Sequence, residues 1–181
     1  MVQRRYVLLD RDGVINDDSI DFIKSPEEWI PIEGSLDAIA LLNKAGYEVA
    51  VITNQSGLAR GLFDEATLTK IHDKMQNLLV EKGGRISAIY YCPHGPESIC
   101  NCRKPKPGLI EQFSREYQAD LKSVYFIGDS LRDIQAAQDA QAIPILVKTG
   151  KGLNTLAKNP SLNIPVFENR YDAVQFILTK Q

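Results

Sequence analysis

Apolar residues recur along this chain in two alternating patterns. Short runs rich in β-branched and aromatic residues predict strands at Tyr6 to Asp10, Glu48 to Thr53, Ala88 to Cys92, Ser123 to Ile127 and Ile143 to Val147. Between them, apolar positions recur at three and four. This spacing predicts helices from about Ser35 to Ala45, from an Asp64 cap through Leu68, Ile71, Met75, Leu78 and Leu79, from Leu109 to Tyr117, and from Ile134 to Ala140 with Asp133 near its start. The strands are apolar throughout, as strands covered on both faces are, so the alternation predicts an α/β fold around a mainly parallel sheet. Pro93 to Gly108, with Pro96, Pro105 and Pro107, is a loop. After Thr149 the pattern weakens to a Gly-Lys-Gly loop, a short apolar Pro165-Val166-Phe167 and an amphipathic segment from Tyr171 to Leu178. The expected organisation is one domain over residues 1–181, with a loop at 92–102 inserted.

Length and charge narrow the function classes. A chain of 181 residues buries a sizeable core without disulfides. Lys and Arg number 21 against 23 Asp and Glu, a net charge of −2, so no broad positive field is present to hold a nucleic acid or an anionic membrane. The longest apolar runs fall far short of the roughly 20 residues that span a bilayer. Met1-Val2-Gln3-Arg4-Arg5 leads directly into the first strand without a signal-peptide core, and the expected location is the cytoplasm.

Candidate chemistry gathers where strands end, the edge at which open α/β sheets bind ligands. Asp10-Arg11-Asp12-Gly13 follows the first strand. An ionised Asp10 beside Mg²⁺ can attack phosphorus and form an aspartyl-phosphate. Asp12 can then give a proton to the leaving oxygen and later take one from water. Thr53-Asn54-Gln55-Ser56-Gly57 closes the second strand with groups that hydrogen-bond phosphoryl oxygens. Gly128-Asp129-Ser130 closes a later strand with a further carboxylate for Mg²⁺, which favours carboxylates together with phosphate and water. Arg103, Lys104 and Lys106 supply cations in a proline-stiffened segment, as phosphoryl transfer requires. Taken alone, Asp10 and Asp12 fit a plain turn equally well; the other strand ends tip the balance.

In order along the chain, Asp10-Arg11-Asp12-Gly13-Val14-Ile15-Asn16, Thr53-Asn54-Gln55-Ser56-Gly57, Lys104 and Gly128-Asp129 resemble the four motifs of haloacid dehalogenase-like phosphatases. The resemblance implies a Rossmann-like, three-layer fold and Mg²⁺ dependence. It further implies Asp10 as nucleophile, Asp12 as acid/base, Thr53 and Lys104 on the phosphoryl group, and Asp10, Asp12 and Asp129 at the metal. Asp10 to Asn54 holds little more than a loop, a helix and a strand, which leaves no room for a lid domain there. A capless enzyme is expected, its mouth shaped by residues 16–31, 55–63 and the cysteine loop.

Cys92, His94, Cys100 and Cys102 lie within eleven residues, the donor set of a closed, structural Cys₃His zinc site that ties down the loop bearing Arg103 and Lys104. His72, mid-helix without Cys or acidic partners at matching spacing, is read as solvated or partly packed. A small phosphorylated sugar is the expected substrate. A sugar carrying two phosphates needs a second set of cations, for which Arg60, Arg103, Lys106, Lys148 and Lys151 are candidates. Asp18, Ser19, Ile20, Asp21, Asn54, Gln55, Ser56, Arg60, Arg103 and Ser130 are the expected substrate contacts. The acidic insert at Asp17, Asp18 and Asp21 suits an ammonium group as well, so a phosphorylated amine is the alternative. A nucleic-acid end phosphatase is disfavoured by charge, and a non-catalytic phospho-acceptor or a zinc-held binding module has no use for Asp12. A monomer acting without nucleic acid or membrane is expected.

Overall fold

The computed structural model describes residues 4–180; the reading of the amino end at residues 1–3 lies outside them, as does Gln181. Six strands, β1 (Arg5–Leu9), β2 (Tyr47–Asn54), β3 (Ala88–Cys92), β4 (Tyr125–Gly128), β5 (Ile143–Val147) and β6 (Val166–Phe167), form one parallel sheet in the order β3-β2-β1-β4-β5-β6. Leu9 stands in register with Val51 on one side and Ile127 on the other. The chain winds outward from β1 through β2 to β3, then returns to place β4 against the other side of β1. The switch point therefore lies between β1 and β4, where ligands of such sheets collect.

Side-chain alternation gives the sheet two cores. Val7, Leu9, Val49 and Val51 face α1 (Ser35–Lys44), α2 (Glu65–Glu81) and α6 (Arg170–Leu178), meeting Ile39, Ile71, Met75 and Val174. Leu8, Ala50, Ile52 and Phe126 face the other way, toward α3 (Gly108–Tyr117) and α4 (Leu131–Asp139), where Ile110, Phe113 and Ala137 are buried. The result is the expected three-layer Rossmann-like architecture. Among the described residues, no helix is long and apolar enough to cross a membrane.

Three segments differ from expectation, each for a local reason. Ser123 is not in a strand: Asp120 accepts from the Lys122 N–H and from the Ser123 hydroxyl, closing a 3₁₀ turn over Leu121–Ser123 that delays β4 to Tyr125. Helix α4 starts at Leu131 rather than Ile134, because the Asp133 carboxylate accepts from the Ser130 N–H and hydroxyl and so closes the helix start. Residues Gly152–Lys158 form a short helix, α5, that no apolar stripe announces. The apolar Pro165-Val166-Phe167 supplies β6 as an edge strand on β5.

Candidate active site

The ends of β1, β2 and β4, together with the loop before α3, enclose a cavity of about 440 Å³. Asp10 follows β1, its N–H bonded to the Ile127 carbonyl at 3.0 Å, so the strand pairing reaches the carboxylate itself. Its Oδ1 accepts from the Arg11 N–H at 2.8 Å and from Lys104 Nζ at 3.0 Å. Lys104 is buried and also bonds Asp133 at 2.7 Å and the Ile52 carbonyl at 2.7 Å. Burial alone would lower the lysine's pKa, but Asp10 and Asp133 raise it, so the ammonium stays charged.

Asp129, after β4, is held from three sides. Its N–H donates to Asp133 Oδ2, its Oδ2 accepts from the Lys151 N–H at 2.8 Å, and its carbonyl accepts from the Thr155 hydroxyl at 3.0 Å. Gly13 (φ 82°) and Gly150 (φ 56°) enclose it so closely that a Cβ on either would fall 2.1 or 2.2 Å from Asp129 Oδ2. Only glycine fits both the backbone conformation and the space.

Asp10, Asp129 and Asp133 bring carboxylate oxygens within 4.8 Å of one another, against one buried ammonium. Burial, then the Asp133 charge, pushes Asp10 up to about 7. Burial, then Asp10, pushes Asp129 up to about 8. Lys104 and hydrogen bonds from Ser130 hold Asp133 below the usual carboxylate range in spite of its burial. Such an excess of buried negative charge, with Asp10 Oδ2 and Asp129 Oδ1 free of hydrogen bonds among the described residues, suits a magnesium ion. Asp133 was legible in the sequence only as a residue near a helix start; the signal for it was the Ser130-x-x-Asp133 spacing.

The Asp12 carboxylate stands apart from this cluster. Oδ1 accepts from Arg11 Nε at 2.9 Å and Asn16 Nδ2 at 2.9 Å, and Oδ2 from Arg11 Nη2 at 3.2 Å and Gln55 Nε2 at 3.1 Å. Burial opposes ionisation, but Arg11 and these amides hold the group below the usual range. Its side chain is thus engaged by three groups, Arg11, Asn16 and Gln55. Gln55 also donates to Thr53 Oγ1 at 2.9 Å, tying the ends of β1 and β2 together. His72, read as solvated or partly packed, is buried with its ring against Arg11, because it shares the apolar stripe of α2 with Leu68 and Met75.

The expected substrate contacts largely converge. Asp18, Ser19, Ile20, Asn54, Gln55, Ser56, Arg60, Arg103 and Ser130 line the cavity, whereas Asp21 does not. Asn54 also clamps the loop: its amide donates to the Lys104 carbonyl at 3.1 Å and accepts from the Lys104 N–H at 3.0 Å. Of the candidate second cations, Arg60, Arg103 and Lys151 face the cavity. Lys106 bonds the Cys100 carbonyl at 2.7 Å, and Lys148 pairs with Glu168 outside it. Arg132, which the sequence reading passed over, takes a place on the wall. Partial burial, then the charge of Arg132, with Arg60 as a smaller cause, lowers the pKa of Arg103.

Beside the mouth, Cys92 Sγ lies 3.0 Å from Cys102 Sγ, 3.9 Å from Cys100 Sγ and 3.5 Å from His94 Nδ1, and His94 Nδ1 lies 3.2 Å from Cys102 Sγ. A tetrahedral zinc site, with bonds of about 2.0–2.3 Å, spaces its donors by roughly 3.3–3.8 Å. The four residues fit such a site. Arg103 Nη1 donates to the His94 carbonyl at 3.1 Å, so the cation and the cysteine loop are joined directly.

Carboxylates and a buried lysine at the switch point of a parallel sheet define a phosphoryl-transfer enzyme. The HAD-hydrolase-like family model matches residues 101–169. A D-glycero-beta-D-manno-heptose-1,7-bisphosphate 7-phosphatase of Bordetella bronchiseptica is 56% identical over 154 residues, covering 85% of this chain and 86% of that protein. The same-named protein of Neisseria meningitidis serogroup A is 48% identical over 178 residues, covering 96% and 95%. The crystal structure of the B. bronchiseptica D,D-heptose 1,7-bisphosphate phosphatase, complexed with magnesium and phosphate, matches with a TM-score of 0.95 at 50% identity over 98% of this chain and 99% of that one. The chain belongs to the haloacid dehalogenase-like hydrolases and is a phosphatase.

Proposed function

We propose that the protein removes the 7-phosphate of D-glycero-D-manno-heptose 1,7-bisphosphate, on the route to nucleotide-activated heptose for lipopolysaccharide core or related glycans. The observation that carries this reading is the guanidinium group Arg60, Arg103 and Arg132 on the wall of the cavity that also holds Asp10. One phosphate sits at Asp10, and the cations hold the other. A phosphorylated amine such as histidinol phosphate fits less well, because Asp18, the cavity carboxylate suited to an ammonium, is already paired with Lys151 at 3.1 Å.

In this reading the free oxygen of Asp10 attacks phosphorus, and the bond to the sugar oxygen breaks as Asp12 protonates it. Lys104 and Thr53 hold the phosphoryl oxygens. Water then attacks the aspartyl-phosphate while Asp12 accepts its proton, releasing phosphate and restoring Asp10. The ionised resting state of Asp12 is the one that deprotonates water; the negative charge of an arriving phosphate raises its proton affinity for the first step. Asp10 and Asp129 would hold magnesium, which when bound neutralises charge on the phosphoryl group. Cys92, His94, Cys100 and Cys102 would hold a structural zinc, and thiols kept as ligands suit the reducing cytoplasm. Phosphate release from the heptose bisphosphate beside histidinol phosphate, with Mg²⁺ present, tests the reading. A higher kcat/KM for histidinol phosphate overturns it.

A further inference from the structure

His72 is a buried titratable group that the mechanism above does not use. It lies on α2, between Leu68 and Met75 on a buried stripe whose Ile71, Met75 and Leu79 join the core under the sheet. Its Nε2 stands 3.1 Å from Arg11 Nη1. Arg11 is itself fully buried, and its Nε and Nη2 edge grips both oxygens of Asp12. A guanidinium only donates, so the contact requires a neutral imidazole with its proton on Nδ1 and its lone pair on Nε2.

We infer that His72 is a positioning residue for proton transfer, fixing the plane of Arg11 so that Arg11 holds the Asp12 carboxylate in place. The inference rests on the assignment of Asp12 as acid/base. Among the described residues, His72 is the acceptor for Arg11 Nη1. Without it that N–H points at the apolar stripe of α2, and a buried donor without a partner draws the guanidinium toward another acceptor. The carboxylate it grips in two places moves with it. Burial, followed by the Arg11 charge, keeps the imidazole in the neutral form this geometry needs.

His72→Met and His72→Gln separate an acceptor from mere bulk, since the two side chains are nearly the same size and Gln Oε1 accepts where the Met thioether does so weakly. Misplacing a reacting group by about 1 Å costs up to ~10²-fold, so His72→Met is expected to lower kcat about tenfold with KM unchanged within about twofold. His72→Gln should recover most of that loss. In an Asp12→Asn background, His72→Met should change the residual kcat by less than about twofold, because its path of action is already gone. A His72→Met enzyme with the wild-type kcat, or an equal loss in both backgrounds, overturns the inference. A fast Asp12→Asn enzyme overturns instead the role of Asp12 on which it stands. Should His72→Met not fold, ¹⁵N NMR of the wild-type ring decides: the Nδ1–H tautomer supports the inference, and a protonated Nε2 between pH 6 and 8 overturns it.

Discussion

Lowering the pH should cost this protein stability through His72, and the size of the loss follows from its surroundings. Burial first, then the Arg11 charge, pushes the imidazole from 6.5 down to about 3, with Asp12 opposing. A depressed native value means that between about pH 6.5 and 3 the unfolded chain binds a proton that the native protein does not. Stability from this group is therefore complete above pH 6.5 and falls as the pH drops toward 3. With those two values, the linkage relation gives a loss of about 2 kcal/mol between pH 7.5 and pH 5.0. Asp10 and Asp129, raised to about 7 and about 8, act in the opposite sense, since there the native protein binds the extra protons. The assay must therefore be a difference. Urea unfolding of the wild type and of His72→Gln, measured in the same Mg²⁺ buffer at pH 7.5, 6.0 and 5.0, cancels the carboxylates. The wild type should lose about 2 kcal/mol relative to the variant, roughly 4–8 °C in Tm for a protein of this size. Stability curves that stay parallel within about 0.5 kcal/mol over that range would refute a buried, neutral His72.

Four further outcomes are expected. Asp10→Asn should abolish turnover with an unchanged circular dichroism spectrum, whereas Asp12→Asn should slow kcat by at least ~10²; wild-type kcat in either removes its assigned role. Asp133→Asn removes the anion of the buried pair with Lys104 and sets an NH₂ either against that ammonium or against the three donors that share Oδ2, so urea unfolding should show a loss of about 3–5 kcal/mol. Cys100→Ser should lose bound zinc by elemental analysis and loosen the segment bearing Arg103 and Lys104, seen as faster amide exchange over 92–108; full zinc occupancy with wild-type exchange would count against a structural site. Brief EDTA treatment should stop activity reversibly on Mg²⁺ addition while zinc stays bound, and zinc loss at the same rate as magnesium would mean that its site is open.

The catalytic core was legible because its chemistry is local to strand ends. Asp10, Thr53 and Asp129 each follow or close a strand whose apolar run marks its own boundary, and parallel strands bring their carboxyl ends to one edge. The cysteine loop was legible for the same reason, its four donors lying within eleven residues. What escaped depends on partners distant in sequence. Lys106 and Lys148 carry the right charge for a second phosphate, yet a carbonyl six residues back and a glutamate on the far side of β6 claim them. Arg132 reaches the cavity because α4 begins three residues earlier than its apolar spacing suggests, a shift decided by the cap at Ser130. The same early start puts Asp133 in the first turn, where one carboxylate oxygen closes the helix start and the other is the second anion of Lys104, a contact that no spacing in its own segment encodes.

His72 shows how such a residue still leaves a trace. The buried stripe of α2 runs Leu68, Ile71, His72, Met75, Leu79, with one polar member. On an apolar stripe the polar residue carries the information, because its burial is unfavourable unless something distant in sequence supplies a hydrogen bond. Here that partner is Arg11, sixty-one positions earlier and covered by the same sheet edge that carries Asp10. Arg11 had the matching mark: a guanidinium set between two carboxylates at the end of a buried strand has no route to solvent once the sheet is covered, and it needs an acceptor on the layer above. Each residue was anomalous alone, and the two anomalies cancel only when α2 is laid across the end of β1.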